Sequence, residues 1–162
     1  MVSPIPSYKR IPKPISNNSP KFKLNGNTLK ILVVDDTSVS RGLLCNSLED
    51  IGMRNVDFCV SGDVAFQRVS REGFHIVISD HHMPGMTGLD LLGNLRMQKS
   101  TANVGFILVS GSMNQEILGR AQKLGLNNFL SKPFDKSDLL KNVKKLIKKQ
   151  KPNLHPLIAI KK

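Results

Sequence analysis

Short apolar runs closed by polar residues recur along the chain, and between them apolar positions fall at helical spacing. Leu29 to Val34 is such a run and predicts strand 1 over about 30–34. Val39, Leu43, Leu44, Leu48 and Ile51 then repeat with helical period, which predicts helix 1 over about 37–51. Thr37 or Ser38 stands at its N-cap and Gly52 just past its end. Strand 2 is predicted over about 56–60. Helix 2 begins at Ser61-Gly62-Asp63 and stops at Gly73. The run from Phe74 to Ser79 predicts strand 3, which ends against Asp80 and the loop His81-His82-Met83-Pro84-Gly85-Met86-Thr87. Helix 3 starts near Gly88, strand 4 covers 105–109, helix 4 about 114–124 and strand 5 128–130. Helix 5 is predicted from Lys136 to Lys149, with Leu139, Leu140, Val143, Leu146 and Ile147 as its apolar stripe and lysines opposite.

Strict alternation of strand and helix implies a parallel sheet covered on both faces, a doubly wound five-stranded α/β fold. Such a sheet gathers chemistry at the carboxyl ends of its strands. Asp35 and Asp36 follow strand 1, Asp80 ends strand 3, Ser110 ends strand 4, and Lys132-Pro133 follows strand 5. Taken singly, each has a plainer role: Asp36 as a helix cap, Ser110 in a turn, Lys132 as a surface lysine. Taken together, they make three carboxylates, a hydroxyl and an ammonium at one edge. Close carboxylates raise one another's proton affinity unless a cation is present. Mg²⁺, which accepts few carboxylates and keeps its waters, is the natural ion. One of the acids can then attack phosphorus to form an acyl phosphate, with Lys132 and Ser110 on the phosphoryl oxygens.

The sequence resembles a response-regulator receiver domain of the stand-alone chemotaxis-regulator type. The matching residues are Asp35-Asp36, Asp80 with its loop, Ser110-Gly111 and Lys132-Pro133-Phe134, and the match covers about 29–149. The resemblance implies strand order 2-1-3-4-5, the flavodoxin-like arrangement. It implies phosphorylation of Asp80 by a histidine kinase, with Mg²⁺ on Asp35, Asp36, Asp80 and the backbone carbonyl of His82. It also implies a cis Lys132–Pro133 bond and a switch in which Ser110 and Phe129 change the helix 4–strand 5–helix 5 face read by a partner. The family position of Phe129 often holds Tyr. The protein is then a phospho-acceptor that assists its own phosphorylation and dephosphorylation, not an enzyme acting on a separate substrate. His81 and His82 read as exposed loop histidines, or His82 as a modulator of hydrolysis over the phosphoryl group.

Charge divides the chain further. Residues 1–30 hold six Lys/Arg and no acid, and 139–162 hold eight Lys and no acid, whereas 31–138 carry ten Lys/Arg against twelve Asp/Glu. Residues 1–28 read as a disordered basic arm, 29–149 as the receiver domain and 150–162 as a basic tail. Thirteen residues after 149 are too few for an output module, so output passes through a partner. That partner is an effector protein, or a histidine phosphotransfer protein if the chain is a phosphorelay intermediate. A basic nucleic-acid-binding module is the competing reading, weakened by few aromatics and by helices 1–4 without a basic stripe. No G-x-G-x-x-G or P-loop follows strand 1, which excludes the common nucleotide-binding motifs. No transmembrane helix is expected, the N-terminus does not read as a secretory signal, and Cys45 and Cys59 read as buried thiols, which fits the cytoplasm.

Overall fold

A computed structural model describes residues 26–126 and 128–159, the stretch 149–159 as helical backbone alone. Five strands alternate with five helices: β1 (Lys30–Val34), α1 (Ser38–Asp50), β2 (Asn55–Cys59), α2 (Gly62–Glu72), β3 (Ile76–Asp80), α3 (Gly88–Met97), β4 (Gly105–Ser110), α4 (Gln115–Lys123), β5 (Phe129–Ser131) and α5 (Lys136–Ala159). The sheet is parallel throughout, in the order β2-β1-β3-β4-β5. This is the flavodoxin-like order. Order reverses across β1 and β3, so the crevice beyond their carboxyl ends is the switch point.

Alternation along the strands builds two cores. Ile31 and Val33 of β1 join Leu44, Leu48, Leu139, Val143 and Leu146 beneath α1 and α5. Leu32 and Val34 face the other way, onto Ala65, Val69, Leu89, Leu92 and Ala121 of α2, α3 and α4. Both faces are therefore apolar, as continuous runs such as Ile31-Leu32-Val33-Val34 require.

Helix starts are fixed by side chains. Ser61 accepts from the Val64 N–H, and Asn114 from the Ile117 N–H. Thr87 and Asp90 form a reciprocal capping box at the start of α3. Thr37 is the N-cap of α1 but makes no side-chain cap bond. Gly73 closes α2 at φ 68°, a left-handed conformation that suits glycine.

Several boundaries differ from the sequence expectation. Residues 26–28 form a turn, with the Gly26 carbonyl accepting from the Arg54 N–H, so this part of the expected basic arm packs on the domain. Residues 1–25 lie outside the described residues. Helix α5 runs to Ala159, past the predicted stop at Lys149. Proline removes one ladder hydrogen bond, so a reading that ends helices near proline stops short of Pro152 and Pro156. The bounds of β2 and β3 also shift by one or two residues, because pairing with β1 starts at Asn55 and Ile76. Cys45 and Cys59 are free and buried, as expected. Among the described residues no helix is long and apolar enough to cross a membrane.

Candidate functional site

Asp35, Asp36, Asp80, Ser110 and Lys132 are each placed by the carboxyl end of a strand. Asp35 follows β1 directly and is fully buried. Its Oδ1 accepts from the Thr37 N–H at 2.9 Å, so the first turn of α1 is tied to this carboxylate rather than to a cap on Thr37. Its Oδ2 is buried with no hydrogen bond. Asp36 is exposed beside it and does not cap α1. Asp80 ends β3, also buried, and the Ser79 hydroxyl donates to its carbonyl. Gly88 is required close by, since a Cβ there would lie 2.5 Å from the Asp80 carbonyl oxygen.

The opposing charge comes from β5. The Lys132 N–H donates to the Ser110 carbonyl at 2.9 Å, and the Lys132–Pro133 bond is cis. Lys132 Nζ lies 2.9 Å from Asp80 Oδ1 and 3.8 Å from Asp35 Oδ2. These contacts exclude the plainer reading of Lys132 as an unattached surface lysine. Oxygens of Asp35, Asp36 and Asp80 all lie within 4.8 Å of one another. One lysine cannot neutralise three carboxylates, and the enclosed Asp35 Oδ2 lacks a donor, so an oxygen-seeking divalent cation fits this cluster. The exposure of Asp36 leaves the cluster open to water, which suits an ion that keeps part of its hydration shell.

Ser110 reaches the same edge, fully buried, but its hydroxyl is engaged elsewhere. It accepts from the Ser112 N–H at 3.1 Å and donates to the Ser112 carbonyl at 3.4 Å. The plainer turn role is thus what Ser110 performs in this state. Phe129 opens β5 half-buried, packed against the core under α2, α3 and α4.

The two histidines differ from each other. His82 is exposed, as expected, with Nε2 3.3 Å from the Ser112 hydroxyl. His81 is buried, which corrects its reading as an exposed loop residue. Its N–H donates to the Val109 carbonyl, which draws it under the loop, and its Nδ1 has no partner. Burial pushes the His81 pKa below the ordinary value, and the nearby charges of His82 and Arg120 push the same way.

Two further contributors carry no motif signal. Arg41 donates to the Asp35 carbonyl at 3.0 Å and lies over the Phe58 ring. Helical spacing could have pointed to it, because Arg41 is one turn after Thr37 on α1. Ser112 bridges Ser110 and His82, a contact set by loop shape alone.

Comparison with known proteins bears on this geometry. The family described as the response regulator receiver domain matches residues 31–144. The chemotaxis protein CheY-3 of Vibrio cholerae is 32% identical over 126 residues, which cover 78% of this chain and 96% of that protein. The chemotaxis protein CheY of Pseudomonas aeruginosa is 30% identical over 121 residues, covering 75% of this chain and 98% of its own. Among solved structures, Vibrio cholerae chemotaxis protein CheY4 superposes with a TM-score of 0.68 at 28% identity, over 73% of this chain and 98% of the other.

Proposed function

The chain belongs to the response regulator receiver family, and from that premise we propose that Asp80 takes up and releases the phosphoryl group of a two-component pathway. The protein is a response regulator, a phospho-acceptor rather than a typical enzyme. The observation that carries the assignment to Asp80 is its position: at a strand end, 2.9 Å from Lys132 Nζ and within 4.8 Å of the oxygens of Asp35 and Asp36.

A phosphohistidine of a histidine kinase is the donor. An Asp80 carboxylate oxygen attacks phosphorus, a P–O bond forms, the P–N bond to the donor breaks, and the imidazole leaves. Asp35, Asp36, Asp80 and the carbonyl of His82 would hold Mg²⁺, which would supply positive charge toward the phosphoryl oxygens. Lys132 transfers its contact from Asp80 to a phosphoryl oxygen, where charge accumulates. Ser110 leaves Ser112 and donates to another oxygen. Its departure draws the β4–α4 loop inward and opens room for Phe129 to turn into the core, which alters the α4–β5–α5 face read by an effector. For release, water attacks phosphorus, the P–O bond to Asp80 breaks, and inorganic phosphate departs from the regenerated carboxylate. His82 overhangs this step and tunes it. An unchanged hydrolysis rate and pH profile in His82→Ala would remove that role.

The test is incubation with Mg²⁺ and acetyl phosphate, read by intact mass. One added phosphoryl group is expected, absent in Asp80→Asn and absent without Mg²⁺. Addition that persists in Asp80→Asn overturns the assignment. Passage of the phosphoryl group onward to a histidine phosphotransfer protein would mark a relay role rather than direct output.

A further inference from the structure

Asp35 and Asp36 are neighbours in the chain, so the single peptide plane that joins them sets how their side chains stand to each other. Asp36 is exposed and does not cap α1, which leaves its direction to that plane. The structure holds the turn around Asp35 at three points. The Asp35 N–H donates to the Cys59 carbonyl at 3.2 Å, which ties the turn to the end of β2. Asp35 Oδ1 accepts from the Thr37 N–H at 2.9 Å. The Asp35 carbonyl, which is the oxygen of the peptide shared with Asp36, accepts from Arg41 Nη1 at 3.0 Å.

Arg41 is itself seated. Its backbone N–H donates to the Thr37 carbonyl at 2.9 Å, and its guanidinium carbon lies 4.8 Å from the centroid of the Phe58 ring. Phe58 is fixed in turn on β2. Its N–H donates to Asp57 Oδ1 at 2.8 Å, and its carbonyl accepts from Arg68 Nη1 at 3.0 Å. Arg68 is anchored by ion pairs to Asp57 and Glu72. The guanidinium of Arg41 thus bridges a carbonyl of the β1–α1 turn and a ring held on the neighbouring strand.

We propose that Arg41, seated on Phe58, is a positioning residue for the divalent cation: its grip on the Asp35 carbonyl holds Asp35 and Asp36 in their mutual orientation before the ion arrives. This role rests on the reading of Asp35, Asp36 and Asp80 as the Mg²⁺ site. A purely electrostatic role for the same side chain has the opposite sign. Positive charge beside the cluster repels Mg²⁺, so removal of that charge alone would tighten binding. Loss of positioning weakens binding, because ordering the two acids then subtracts from the binding free energy. Lysine is no substitute, since an ammonium keeps the charge but lacks the planar fork that stacks on a ring while donating sideways to a carbonyl.

The experiment is calorimetric titration of the metal-free full chain with Mg²⁺. The dissociation constant should rise about ten-fold in Arg41→Ala, the low end of what is lost with a residue that orients metal ligands. Arg41→Lys should weaken binding in the same direction, and it decides alone if Arg41→Ala fails to fold. Phe58→Leu, which removes the seat and keeps the guanidinium, should also weaken binding, and the double variant Arg41→Ala, Phe58→Leu should bind no worse than Arg41→Ala. Acetyl phosphate labelling at saturating Mg²⁺ should change little, because the bound ion then orders the acids itself. A merely structural role does the reverse: it lowers the melting temperature without Mg²⁺ and leaves the dissociation constant unmoved. Unchanged or tighter Mg²⁺ binding in the Arg41 variants overturns the proposal, as does a double variant in which the two losses add. If the wild type binds Mg²⁺ but takes up no phosphoryl group, the phosphorylation reading fails and the titrations still decide the role of Arg41. If the wild type binds no Mg²⁺, the ion reading falls and this role falls with it.

Discussion

With its Nζ 2.9 Å from Asp80 and 3.8 Å from Asp35, Lys132 stands between two enclosed carboxylates. Lys132→Ala removes the fixed cation from the place where phosphoryl charge develops. We expect the initial rate of acetyl phosphate labelling to fall by about a hundred-fold, the usual cost of one preorganised charge donor. An unchanged rate would mean Lys132 only offsets the resting carboxylates. His81 gives a prediction of a different kind. Its folded-state pKa lies below the ordinary 6.5, chiefly through burial, so the unfolded chain binds its proton more readily. The stability this residue contributes is therefore present above 6.5 and is lost as pH falls from there toward the folded value. Melting temperature should drop less between neutral and acid pH in His81→Leu than in the wild type, and parallel curves would sink the idea. Both residues also show what sequence conveys. Lys132 was legible because Lys-Pro after a strand is a placed motif. The burial of His81 was not, because a Pro/Gly-rich loop reads as exposed, whereas the bond from its N–H to the Val109 carbonyl and those its carbonyl accepts from Met83 and Gly88 hold it inward.

At the scale of elements, the sheet was readable because both periodicities are strong: apolar runs in β1, β3 and β4, and helices ended by Gly52, Gly73 and Gly125 at positive φ. The ends of strands were less so. Phe74 continues the apolar run in the sequence, yet the chain bends at His75, whose N–H meets the Lys30 carbonyl before the ladder begins at Ile76. Register, which decides this, is a property of two strands and not of one. Helix α1 shows what pattern alone also hides. Val39 and Leu43 satisfy helical spacing, but they are 81% and 55% exposed while Leu44 and Leu48 enter the core. Val39 lies in the first turn, two residues after Thr37, whose N–H is held by Asp35. A protein donor that brings phosphohistidine to Asp80 must cover this rim, and small donors need not. Val39→Asp should therefore slow transfer from a cognate histidine kinase by at least several-fold and leave acetyl phosphate labelling unchanged. Equal slowing of both reactions would mean the substitution disturbs the pocket itself.

For the molecule as a whole, the fold and the acidic cluster are linked by charge. Folding brings the oxygens of Asp35, Asp36 and Asp80 within 4.8 Å, with one lysine to offset them, and encloses an Asp35 oxygen without a donor. The unfolded chain has no such cluster. A divalent cation that binds only the folded form must then stabilise it, by about 2.7 kcal/mol at a hundred times its dissociation constant. Thermal unfolding in Mg²⁺ should shift upward by several degrees, and excess chelator should reverse the shift. Asp36→Asn separates the two sides of this argument without disturbing the core, because Asp36 is the exposed member of the three. Without Mg²⁺ the variant should be more stable than the wild type, since one repelling charge is gone, and its gain on adding Mg²⁺ should be smaller. If the wild type gains nothing from Mg²⁺, the cluster does not hold the ion. If Asp36→Asn gains as much as the wild type, the ion is bound without Asp36.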